Sequence, residues 1–370
     1  MKYLVFSSIP FESELVSDSD MIDNNLFINN VGNTFFTNAV YNTLNSTENK
    51  IVRYHEGISS CENFDAGILI HANDIRNGMT RVLDYEYEMM EEFKIPFVMM
   101  SIGTDSDSSY NTVLDESVRI STHKLFSKIL ERSPSVGVRG EHTKKIVVEQ
   151  CNIQENKIDV IGCPSVRYFG NKLKRYSRAF SRFSKDLKIA VNFTAYHYDI
   201  DEAIYLYKVL KEFKNSFVIF TDKVEADLLF KNKPVPSSRR HELLPTSAEH
   251  FIIKENRARF LVSQKKIMSM MKTFNFSIGS RIHQAIVSIL SGTPALLIAH
   301  STRVLEIAKY HKIPYILRSD LVEKSPSIAE LYYMTCAAMN DFYDYYDDGL
   351  REYSNYLCRN RITINDDFYI

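Results

Sequence analysis

FNFSIGSRIHQAIVSILSGTPALLIAHSTRVLEIAKYHKIPY, residues 274–315, runs from a short apolar stretch through a charged turn into a helical pattern, and then does so again. Residues 274–278 are strand-like and end at Gly279. From Ile282 the positions Ile282, Ala285, Ile286, Ile289 and Leu290 recur at helical spacing. Gly292 ends that helix and Pro294 prevents its resumption. A second apolar run, 295–299, is followed by His300, Ser301 and Thr302, with Thr302 the expected N-cap of a helix over 303–310. Two parallel strands joined by a helix deliver both outgoing turns to one sheet edge. In open α/β sheets that carboxyl edge is where ligands bind. Ser280, Arg281 and His283 are therefore expected to face one crevice with His300, Ser301 and Arg303.

Outward from this stretch the same alternation recurs. Residues 3–7, 50–54, 64–70, 95–102, 135–138 and 158–162 read as strands in the first half, with helical patterns between them. Ser17–Asn25 reads as a polar loop. In the second half 188–193, 216–221 and 251–253 read as strands, with helices over 202–213 and 258–271. This spacing predicts mostly parallel, doubly wound sheets. The fold class expected is α/β, with two Rossmann-like domains in a GT-B-like arrangement, residues 1–175 and 186–325. A helical tail, 326–370, is expected to cross back onto the first domain.

Composition sets outer bounds. The chain has 370 residues, 45% hydrophobic and 25% charged, with a formal net charge of −1, so no global field recruits nucleic acid or membrane. Five cysteines, an odd number without a C-x-x-C pair, point to a reducing, cytoplasmic setting. The first residues are too weakly apolar for a signal peptide, and Gly292 and Pro294 break the longest apolar stretch. One segment, 171–188, carries Lys172, Lys174, Arg175, Arg178 and Arg182. It reads either as a solvated linker or as a peripheral contact with an anionic membrane face.

Particular residues carry the chemistry. Arg281 can hold a carboxylate or phosphate bidentately, and His283, two residues on, can move a proton near neutral pH; the bland alternative is a capping arginine and a packed histidine. Arg139 follows the strand 135–138, so with Arg281 and Arg303 it would place three guanidinium groups on one anionic ligand. Asn30, Gly32 and Asn33 form a turn that opens a helix, where backbone N–H groups can meet an anion, and His71 and Asn73 sit at the end of another strand. Asp105-Ser106-Asp107 has the Asp-x-Asp pattern of some metal sites, but the same pattern at Asp18–Asp20 shows how common it is. No metal site is expected.

IPFVMMSIG (95–103), SVGVRGEHT (135–143), DVIGCPS (159–165) and above all IGSRIHQAIVSILSGTPALLIAHSTRVLEIAKYHKIP (278–314) together resemble the polysaccharide pyruvyl transferases. In the N-x-G-N turn (30–33), Asn33 stands where that family usually has aspartate, and Arg303 stands where it often has lysine. The resemblance implies transfer of the enolpyruvyl unit of phosphoenolpyruvate onto two hydroxyls of a sugar in an exopolysaccharide or other cell-envelope glycan. It implies His283 and Arg281 as catalytic, with Arg139, Arg303, Ser280, Ser301 and His300 around the donor. Asn30, Gly32, Asn33, His71 and Asn73 are then the acceptor side, for a soluble or lipid-linked saccharide, and no cofactor is required beyond phosphoenolpyruvate as donor substrate. Two other readings stay open: a GT-B glycosyltransferase with a nucleotide-sugar donor, and a non-catalytic glycan-binding relative.

Overall fold

Every strand pairing in the computed structural model is parallel within its sheet. The structure describes residues 1–11, 17–53, 63–106, 109–175, 182–193, 199–236 and 241–369. In the first half β1 (Lys2–Phe6), β2 (Lys50–Arg53), β3 (Ala66–Ile70) and β4 (Phe97–Met100) lie in the order β2-β1-β3-β4. A bridge from Ile102 to Val138 continues this sheet into the pair β5 (Val136–Val138) and β6 (Ile158–Val160). Helices α1 (Asp18–Asp23), α2 (Gly32–Leu44), α3 (Thr80–Glu92), α4 (Glu116–Leu130) and α5 (Glu141–Cys151) connect them.

The second half holds β7 (Ile189–Asn192), β8 (Phe217–Phe220), β9 (Ala258–Phe260), β10 (Phe276–Gly279), β11 (Ala295–Ala299) and β12 (Tyr315–Leu317). Their order is β12-β11-β10-β7-β8-β9, the doubly wound 3-2-1-4-5-6 order read from the other edge. Its direction reverses between β7 and β10, so the crevice for a ligand opens at Asn192 and Gly279. The helices here are α6 (Ile200–Glu212), α7 (Lys223–Lys231), α8 (Phe251–Lys254), α9 (Gln264–Met271), α10 (Ile282–Leu290), α11 (Thr302–His311) and α12 (Arg318–Lys324).

Local chemistry corrects several expectations. Residues 17–25 are not a loop: Ser17 caps α1 by accepting from the Asp20 N–H at 3.1 Å, and Asp18 and Asp20 in the first turn suit the positive helix end. Residues 251–253 are not a strand. His250 caps one helical turn there through Nδ1, which accepts from the Ile252 N–H, and the third strand of this half is Ala258–Phe260. A short apolar run suits either state. What decides is buried Arg257, which donates to the carbonyls of Leu210, Phe213 and Ser216 and locks the start of β9 beside β8. Ser301, not Thr302, is the N-cap of α11. β12 and α12 lie in sequence for which no element was expected.

Backbone bonds stitch the two halves together. The Val31 N–H donates to the Thr221 carbonyl at 2.8 Å and the Lys223 N–H to the Asn29 carbonyl at 3.0 Å. Further along the cleft, the Thr302 N–H donates to Ser106 and Thr302 Oγ1 accepts from the Ser106 N–H at 2.9 Å. α13 (Ile328–Arg359) begins at a Ser327–Glu330 capping box and, at about 1.5 Å per residue, is long enough to touch both halves. Its Tyr343 hydroxyl donates to Ile289 in the second half, and its Tyr356 hydroxyl bridges Gly137 and Met99 in the first.

The basic segment is partly neutralised by this tail: Lys172 pairs with Asp367 and Arg175 with Asp344. Both pairs are largely exposed, and Arg178 lies outside the described residues. Among the described residues no helix is long and apolar enough to cross a membrane.

Candidate functional site

β10 ends at Gly279, whose φ of 155° and close approach to Asn192 leave no room for a side chain. The chain can therefore turn sharply, and Asn192 Oδ1 accepts the Arg281 N–H at 2.7 Å. The Arg281 side chain then crosses the switch point. Its Nε donates to the Phe193 carbonyl at 3.2 Å and its Nη2 pairs with Asp222, a buried carboxylate at the start of α7. Asp222 also accepts from Asn30 Nδ2 at 2.8 Å, while Asn30 Oδ1 accepts the Gly32 N–H at 2.7 Å. One carboxylate thus ties the second-half arginine to the first-half turn.

His283 lies in the first turn of α10. Its ring stacks on Phe36 of α2 at 5.7 Å, and a Cβ on Gly32 would collide with His283 Nδ1. Glycine at position 32 is what lets the two halves meet here. His283 Nε2 is covered and has no partner among the described residues. Burial, followed by the charges of Arg139, Arg303 and Arg281, pushes the imidazole down to about 3. His283 is accordingly neutral in the free protein, so the expectation that it titrates near neutral pH needs correction: a bound anion must offset the arginines first.

Arg139 follows β5 and is buried. Its Nε donates to the Ser101 carbonyl at 2.9 Å and its Nη2 to the His71 carbonyl at 3.0 Å. Arg303, second residue of α11, reaches across to Asn73 Oδ1 at 3.1 Å, and Asn73 Nδ2 donates to Asp105 at 2.9 Å. Burial lowers the Arg303 pKa; Asp105 opposes this, while Arg139 and Arg281 add to it. Among the described residues no carboxylate forms a salt bridge with Arg139 or Arg303. Backbone and amide oxygens hold these two positive charges in place, the Phe36 ring lies under Arg139, and Asp105 offsets part of the Arg303 charge.

Asn30, Gly32, Asn33, Asn73, Arg139, Ser280, Arg281, His283 and Arg303 all line one cavity of about 190 Å³ between the halves. A wider cleft of about 810 Å³ shares Asn73, Arg281 and Arg303 with it and adds His300, Ser301, Arg76 and Arg318. Ser301 Oγ, His300 Nδ1 and Arg303 Nε are buried without partners among the described residues. Ser280 hydrogen-bonds Glu202, whose carboxyl burial holds up at about 7 against the pull of that bond and of Arg318. Asn33 turns its amide to the carbonyls of Phe27 and Ile28.

His71 has a different task from the one expected. Its Nδ1 faces Asp74 and its Nε2 faces Glu86, each at 2.8 Å. Burial would lower its pKa, but Glu86 and Asp74 outweigh that and raise it to about 10. It is a buried imidazolium that presents its carbonyl to Arg139, and it does not line the cavity. Among the described residues no three His, Cys, Asp or Glu side chains are grouped to hold a metal; Asp105 bonds Asn73, and Asp107 lies outside those residues.

Sequence reasoning missed Asp222, Asn192, Phe36 and Glu306. For Asp222 a signal existed, since a lone acid ends the strand 217–220 at the ligand-binding edge. Glu306 of α11 clasps the first half by accepting from the Thr143 N–H at 3.0 Å and from its hydroxyl at 2.8 Å. Burial holds its carboxyl up at about 7 despite these bonds and Arg139. The folded protein therefore keeps a proton that the unfolded chain releases above about 4.5, so stability falls as pH rises from about 4.5 to 7. Glu306→Gln should remove up to about 3 kcal/mol of that fall, read as the change in urea midpoint between pH 5 and pH 8 relative to the parent protein.

No curated protein matches the chain. Among solved structures, Anabaena HepE in complex with UDP and glucose is 8% identical, covering 96% of this chain and 98% of that one with a TM-score of 0.50. S. aureus MnaA, solved with UDP, is 10% identical over 97% of this chain and 98% of its own, with a TM-score of 0.46. The UDP-GlcNAc 2-epimerase from Neisseria meningitidis is 10% identical over 100% and 96%, with a TM-score of 0.43. The two-domain parallel α/β fold is of the GT-B type. A family model described as polysaccharide pyruvyl transferase matches residues 20–302. That span contains both walls of the cavity around His283 and stops one residue short of Arg303, and the chain belongs to the polysaccharide pyruvyl transferase family.

Proposed function

We propose that this transferase moves the enolpyruvyl unit of phosphoenolpyruvate onto two hydroxyls of a sugar in a cell-surface glycan or its precursor. The observation that carries the reading is the convergence of Arg139, Arg281 and Arg303 on His283 in a cavity whose described lining contains no carboxylate. Phosphoenolpyruvate brings a carboxylate and a phosphate, and its charge suits guanidinium groups that geometry has already fixed.

The chemistry balances with these residues. A sugar hydroxyl adds to C2 of the enol while C3 gains a proton, giving a tetrahedral phosphoketal. Loss of inorganic phosphate leaves an oxocarbenium ion, and a second hydroxyl closes the cyclic ketal and releases its proton. Neutral His283 accepts a proton from an attacking hydroxyl; the imidazolium so formed, stabilised by the ligand's negative charge, can return one to C3. Arg139 and Arg303 hold the departing phosphate.

Two measurements test binding. Phosphoenolpyruvate at one hundred times its dissociation constant should stabilise the protein by about 2.7 kcal/mol, read as a rise in melting temperature. Because ligand charge lifts the His283 pKa from about 3, the parent protein should take up more protons on binding near pH 6 than His283→Asn does. Titration calorimetry in buffers of different ionisation enthalpy reads that uptake. A melting shift with UDP-sugars and none with phosphoenolpyruvate transfers the assignment to glycosyl transfer.

A further inference from the structure

The cavity around His283 has an apolar half that phosphoenolpyruvate does not need. Val31 and Phe35 at the start of α2, Ile219 in β8, Leu261 after β9, and Ile267 and Met270 of α9 wall it. Four of these are buried, and Leu261 and Met270 stand half-buried at the lip. At its edge the Thr221 backbone and the Gln284 amide nitrogen are already committed. Glu225 Oε2 accepts the Thr221 N–H at 2.8 Å, the Thr221 carbonyl accepts the Val31 N–H at 2.8 Å, and the Gln284 amide donates to Met271 sulfur at 3.1 Å.

A hydroxyl or a nucleobase edge placed in this pouch would lose its water partners and find none in the wall, which is unfavourable. A methyl group gains by entering it. Resting on the pyruvyl-transfer reading, we propose that the pouch receives an apolar substituent of the saccharide acceptor, the methyl of an N-acetyl group or of a 6-deoxy sugar. Leu261 and Met270 are then specificity-determining residues, and the acceptor class is an N-acylated or deoxygenated hexose rather than a fully hydroxylated one.

Saturation-transfer NMR on the full chain with phosphoenolpyruvate present compares two matched pairs: the methyl glycosides of N-acetylglucosamine and glucose, and of D-fucose (6-deoxy-D-galactose) and D-galactose. In at least one pair the methyl-bearing member should bind about 10- to 200-fold more tightly, the discrimination a methyl-sized group commands in an apolar pocket. Its methyl protons should take the largest saturation. Leu261→Asn should remove the preference, and Leu261→Met, which conserves volume, should keep it. Equal binding within both pairs, no binding by any glycoside, a preference that survives Leu261→Asn, or displacement of the sugar by uridine would each overturn the proposal. The phosphoenolpyruvate melting shift on the same samples does not involve the pouch, so it separates failure of this proposal from failure of the reading beneath it.

Discussion

Asp222→Asn should destabilise the protein by about 3–5 kcal/mol, the consequence of leaving a buried charge without its partner. The change is nearly isosteric, so the loss is electrostatic rather than steric. Asp222 receives Arg281 and Asn30 at once, and next to it Glu225 is held up at about 8 by burial and by the Asp222 charge. Removing Asp222 leaves the Arg281 guanidinium without its counter-ion. It also frees the 30–33 turn from α7, and displacement of a positioned group by about 1 Å can lower a rate about a hundredfold. Urea unfolding measures the first effect and phosphate release from phosphoenolpyruvate the second. A double variant with Arg281→Gln should be less destabilised than the sum of the two single variants, since both members of the pair are then gone. Strict additivity would mean that the pair is not coupled.

His283→Asn should lower turnover by about a hundredfold or more, because asparagine keeps a hydrogen bond but cannot carry a proton. Phosphoenolpyruvate should still raise the melting temperature of this variant, since Arg139 and Arg303 are untouched. The ring stacks on Phe36 and sits over Gly32, so a melt of the same sample distinguishes lost chemistry from lost packing. The parent enzyme has a further signature. His283 is neutral in the free protein down to about pH 3, so it adds no acid limb to kcat/KM near pH 6.5, whereas kcat, which reports the liganded site, should show its lifted pKa. Normal turnover by His283→Asn would remove His283 from the mechanism.

Alternation of apolar runs with helical patterns, the turn SRIH at the end of β10 and the strand-end position of Arg139 were legible in the sequence. Each depends on interactions within about ten neighbouring residues, where periodicity and capping decide. The 251–260 segment was misread because an apolar run of three residues carries no period, and a buried arginine bonding three distant carbonyls settled it. The site residues were legible as types but not as partners. Arg281 and Asp222 lie 59 positions apart and Asn30 and Asp222 lie 192 apart, and no local pattern records such a pairing. His71 and His283 make the point most directly. Both are strand-end or turn histidines in the sequence, yet two carboxylates raise one to about 10 against its burial, and burial with three arginines lowers the other to about 3. A side chain's type is set by the sequence, but its charge state is set by which groups the fold brings within a few ångströms of it, and that only the tertiary structure decides.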